Sequence, residues 1–142
     1  MKNNKLVMIM SVMLVVILLV GTVAVVAVMK LKTSDNTKEP SIEEVLAASV
    51  DVPEVTTNLA SNDYIKISFK IETDGKKAKD ELEKRDFQVK NLIIYELSEK
   101  KAEDLKGKEG KMNLEETLKV KLNELMQDGK IKKVYITGSL LQ

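Results

Sequence analysis

The residues best suited to chemistry are four carboxylates in two adjacent pairs, Asp80/Glu81 and Glu115/Glu116. Two carboxylates facing one substrate could divide general acid and general base roles between them. Neighbours along a helix point to different faces, however, and both pairs are interleaved with lysines, so a solvated helix surface is expected instead. The chain has no His and no Cys. That removes most nucleophile–base pairs and the usual zinc ligands. Neither a GxGxxG nor a GxxxxGK motif occurs, so no phosphate-cradling loop is expected. Asp51 and Asp63 could ligate a cation, but scattered aspartates are ordinary turn and strand-end residues. Met8, Met10 and Met13 read as lipid-facing packing rather than metal capture. The expected inventory is therefore no catalytic residue, no cofactor-binding residue, no metal ligand and no cofactor.

Two features suit contact with other chains. Gly21, Ala24 and Ala27 place small side chains along an apolar segment, where helix backbones approach closely in lipid. Their spacing of three is not GxxxG, and lipid-facing filler is the plainer reading. A strand containing Pro53 leaves either an open sheet edge to which another chain could add, or a covered or bulged one.

The elements that position these residues begin with one uninterrupted apolar run, Leu6 to Met29, with no charge between Lys5 and Lys30. About 24 helical residues span roughly 36 Å, enough to cross a hydrocarbon core of about 30 Å with some tilt. A cleaved signal peptide would have a much shorter apolar region, of about 7 to 15 residues. A lipoprotein is excluded, since no Cys is present to carry the lipid. Lysines flank the run on both sides, so the charge rule for orientation gives little bias. The expected division is a cytoplasmic tail over 1–5, a membrane-spanning helix over 6–29, a linker over 30–40 and an exported domain over 41–142. The protein is thus expected in the cell membrane, single-pass, with its amino end cytoplasmic and its carboxy-terminal domain extracytoplasmic.

Composition narrows the partners. Lys2 and Lys5 aside, the 23 basic residues become 21, against 22 acidic ones. That balance excludes the basic excess of a nucleic-acid binder. Beyond Lys30 and Lys32 no polybasic patch is available for anionic lipids. Aromatic residues make up only 4% and Trp is absent, which argues against a surface that stacks sugars or bases.

Past the linker, Ser41-Ile-Glu-Glu44 predicts a helix-capping box, followed by a short amphipathic turn with Ile42, Val45 and Leu46 on one side. Val50, Val52, Val55, Thr57 and Leu59 predict a first strand, at an edge or bulged at Pro53. Ser61-Asn-Asp63 is a turn. Ile65, Ile67, Phe69 and Ile71 alternate with Lys66, Ser68, Lys70 and Glu72, which predicts an antiparallel strand with one wet face. After Asp74-Gly75, residues Ala78, Leu82, Val89, Ile93 and Leu97 mark one face of a long helix, widened by Phe87, Leu92 and Ile94. Ser98 is expected to cap a short helix ending at Leu105, before Gly107. Leu114, Leu118, Leu122, Leu125 and Met126 predict a further helix, followed by Gly129. Val134, Ile136 and Leu140 predict a last strand that joins the hairpin. The fold class is α+β: a small antiparallel sheet with helices packed on one face.

Three phrases, in order behind an amino-terminal anchor, carry a family resemblance. They are Ser49-Val-Asp-Val-Pro-Glu-Val-Thr-Thr-Asn-Leu59 with Asp63-Tyr-Ile-Lys-Ile-Ser-Phe69, then Glu81-Leu-Glu-Lys-Arg-Asp-Phe-Gln-Val-Lys-Asn-Leu-Ile-Ile94, then Gly129-Lys-Ile-Lys-Lys-Val-Tyr-Ile-Thr137. From Ser41 onward the chain resembles the FliL family of flagellar basal-body-associated membrane proteins. The resemblance implies a stomatin-like exported domain, no enzymatic activity and no small-molecule substrate. It implies that the protein forms a homo-oligomeric ring around the flagellar stator, MotA/MotB. It further implies a role in flagellar rotation, torque, swarming and the control of rotation during chemotaxis. In such proteins the last strand usually alternates through to a terminal Gln. Gly138-Ser139 interrupts that pattern, which leaves the pairing of the last four residues open. The alternative function class is a membrane-anchored extracytoplasmic sensor, or an accessory subunit of another envelope complex. A sensor should present a concave pocket with converging polar groups.

Overall fold

A computed structural model describes residues 2–32 and 39–142 of the chain. They fall into two compact units, one up to Glu39 and one from Pro40 to Gln142. The expected linker therefore lies mostly outside the described residues. The first unit is a single helix, α1 (Lys2–Lys32), longer at both ends than the apolar run that predicts it. Its stretch Asn4–Val28 has a mean hydropathy of 3.0 and is long and apolar enough to cross a membrane.

The second unit opens with α2 (Ile42–Ala47), whose capping box is formed as expected. Glu44 N–H donates to the Ser41 hydroxyl, and the Ser41 N–H donates to the Glu44 carboxylate at 2.9 Å. β1 (Ser49–Asn58) and β2 (Tyr64–Thr73) form the hairpin, turning through Asn62 at φ 65°, a left-handed position that Asn tolerates. β1 is both an edge strand and bulged, its register shifting between Val52 and Val55 around Pro53. β3 (Ile131–Leu141) lies on the other side of β2, so the sheet order is β1-β2-β3, antiparallel throughout. It accommodates two register shifts, near Lys132 and near Thr137, and pairs onward through Leu141 opposite Ile65. The last residues are therefore part of the ladder. Gly138 follows a bulge and does not end the strand.

On the dry face of the sheet, Ile65, Ile67, Phe69 and Ile71 are at most 2% exposed. Helices α3 (Lys76–Lys84), α4 (Asp86–Ser98) and α5 (Gly107–Leu125) help close the core, α4 packing on β1 and α5 on β3. Leu114, Leu118 and Leu122 of α5 and Leu97 of α4 are fully buried, and Val89 and Ile93 of α4 nearly so. The single long helix expected here is two. The backbone at Arg85 has ψ 14°, well away from the helical value of about −42°. No Gly or Pro marks the break. The Arg85 side chain spans it instead, bonding Glu81 before it and Gln88 after it, both at 2.7 Å.

Two further expectations are corrected. Ser98 is the last residue of α4, and its hydroxyl donates back to Tyr95 O. A 3₁₀ turn (Ala102–Leu105) follows, capped by Asp104, whose carboxylate accepts the Lys101 N–H at 2.8 Å. Phe87 and Ile94 do not widen the buried face, being 70% and 37% exposed, while Leu92 is half-buried. Phe87 lies roughly 160° around a helix from Val89, two residues at about 100° each, so it could not share that face.

Candidate interaction surfaces

The carboxylate pairs separate into exposed and structural members. Asp80 and Glu116 are exposed, as a solvated helix surface requires. Glu81 is not free in that way: its two oxygens accept the backbone N–H groups of Gln127 and Asp128 at 2.6–3.1 Å, and one also accepts Arg85. The Asp128 N–H, then that of Gln127 and the Arg85 guanidinium, hold its carboxyl below the usual range, against a partial opposing effect of burial. Glu115 caps the outer edge of β3, accepting the Ile136 N–H at 2.9 Å. Asp51 pairs with Lys70 across the hairpin at 2.6 Å, and Asp63 accepts the Ser61 hydroxyl in the turn. These two aspartates sit at opposite ends of β1. Among the described residues no three acidic side chains are grouped to hold a metal.

The wet face of the sheet is built for stability. Glu72 is only 7% exposed there. It accepts the Tyr135 hydroxyl at 3.0 Å and faces Lys132 at 3.6 Å. Burial, then the bond to Glu72, raises the Tyr135 hydroxyl above its ordinary value. The alternation that predicts a wet residue at 72 misses it because β3 brings two polar partners across it.

What remains exposed is surface for contact. On α4, Phe87, Asn91 and Tyr95 follow one another at four-residue spacing, with Phe87 and Tyr95 70% and 63% exposed. With Leu92 and Leu125 they line an open groove of about 680 Å³. An ion pair between Lys121 and the largely buried Glu96 also lines it. Hydrogen bonding to Glu96, ahead of the opposing burial, raises the Lys121 ammonium. The aromatic spacing was visible in the sequence, but it competed with a stronger apolar stripe on the same helix.

The sheet edges differ from one another. β1 is broken by its bulge at Pro53. The first half of β3 is capped from α5: the Ile131 N–H donates to Asn123 at 2.9 Å, and Asn123 returns a bond to Ile131 O at 3.1 Å. Tyr64 and Gln142 exchange both backbone bonds at 2.8 Å. Antiparallel alternation then turns Gly138 and Leu140 toward β2, and Ser139 and Leu141 outward. Small residues Gly21, Ala24 and Ala27 lie exposed along α1, as do Met8, Met10 and Met13.

Residues 49–142, the whole sheet with α3, α4 and α5, match the family model described as flagellar basal body-associated protein FliL. The chain belongs to the FliL family. It is also 47% identical over 111 residues to the flagellar protein FliL of Bacillus subtilis (strain 168), covering 78% of this chain and 79% of that one. The sequence phrases that carry the resemblance map onto the β1–β2 hairpin, the α3–α4 pair and β3. A FliL-family chain is a flagellar basal-body-associated accessory protein. The apolar α1 is compatible with membrane anchoring.

Proposed function

We propose that this FliL-family chain is held in the cell membrane by α1, with residues 1–5 cytoplasmic and residues 41–142 outside. There it assembles as a homo-oligomeric ring around the stator MotA/MotB, supporting flagellar rotation, torque and swarming and its control during chemotaxis. Family membership over the whole folded domain carries this reading. The protein works through contact and not turnover, which is supported by a chain without His or Cys and by carboxylates committed to structural bonds. Lateral contact between neighbouring domains draws on the aromatic face of α4 and the open end of β3. A collar of this kind changes the stator only by binding its active form more tightly than its inactive one.

The test is gentle extraction of tagged full-length protein from its native membrane. Stator subunits together with a high-order homo-oligomer are expected. A monomer without any flagellar partner, confirmed by crosslinking in intact cells, would overturn the reading.

A further inference from the structure

The outward side of α2 has no partner within the domain. Ile42 and Leu46 lie one turn apart on the same side and are 65% and 51% exposed. No residue of α2 is buried. The helix is nevertheless fixed in place. Besides the capping box, Ser49 Oγ donates to Val45 O at 2.6 Å. The Thr73 hydroxyl and N–H both donate to Ala48 O, at 2.6 and 3.0 Å. This is an ordered apolar ridge, just ahead of the residues that match the family model.

Only residues 33–41 separate α1 from α2, and nine residues span at most about 32 Å when fully extended. We propose that Ile42 and Leu46 dock α2 on the lipid surface of the membrane that α1 spans; this rests on the anchor reading above. The two side chains enter the boundary between headgroups and acyl chains, as the apolar sides of interfacial helices do. Two such side chains hold a free domain to lipid only weakly. A tethered domain meets the surface at a high effective concentration, so weak contact suffices. Glu43 and Glu44 on α2 are offset by Lys76, Lys79 and Lys132, which line the groove beside Glu44. The contact is therefore carried by the apolar pair, and a zwitterionic surface tests it without charge attraction.

The chain has no Trp, so Ile42→Trp in full-length protein reports this position alone. Lys108→Trp, at an exposed position, serves as the reference. In phosphatidylcholine vesicles, a chain that fails to float overturns the anchor reading and the proposal together. In floating samples, emission from Trp at 42 is expected to be blue-shifted. Lipids brominated near the headgroup should quench it at least twofold more than the reference. Adding Leu46→Asp should remove the quenching while flotation persists. Emission at 42 matching the reference overturns docking with the anchor intact. A blue shift without lipid quenching also overturns it, and gives this face to a protein contact.

Discussion

Glu81 clasps a loop 46 residues further along the chain, joining α3 to the turn that leads into β3. Because the bonds favour the ionised form, the folded pKa lies below the ordinary value of 4.5. The unfolded chain therefore binds more protons in the acid range, and stability rises with pH there. The advantage of wild type over Glu81→Gln should be full at neutral pH. It should shrink as pH falls below about 4.5 and through the folded pKa, as paired thermal melts across pH would show. A second residue-scale prediction concerns Gly129, at φ 78° in the same turn. A Cβ there would meet the Ala78 Cβ at 2.7 Å. Gly129→Ala should therefore cost at least the roughly 1–2 kcal/mol of a left-handed side chain, measurable by urea denaturation. The sequence places Gly129 after a helix, which suggests its backbone role. Nothing local announces the Glu81 clasp, since spacing shows which way a helical carboxylate points but not which loop falls across it.

The strands are the legible elements. Alternation along β2 marks the buried face without error from Ile65 to Ile71, because a strand's two faces are fixed by the chain's own pleat. Pro53 likewise announces its bulge, lacking the N–H that a regular ladder needs. Ile67→Asp places an unpaired charge on that face and should unfold the domain. An unchanged melting temperature for residues 40–142 would refute the strand assignment. Helix boundaries are less legible. The break at Arg85 is bridged by side-chain bonds on either side of it, and no residue there is a helix breaker by itself. The exposed Phe87 shows a related effect: apolar type suggests a core residue, whereas helical angle decides the matter.

For the whole molecule, the fold class was readable because each half of the domain buries its apolar face against the other, so neither persists alone. Residues 40–142 form one unit with its own core, and expressed alone should melt in a single cooperative transition. Under the proposed function, that soluble fragment should fail to restore swimming to cells lacking the full-length chain. Soft-agar motility beside a circular-dichroism melt checks both halves of this prediction. The treatment of the sheet edges has one more effect. Under the proposed function, chains confined to a membrane plane collide at high local density, and an exposed strand ladder invites the runaway stacking that seeds fibrils. Pro53 on one side and the Asn123 and Glu115 caps on the other interrupt both edges, so that neither offers a full-length ladder. Crowding can then produce limited assemblies without nucleating an insoluble sheet.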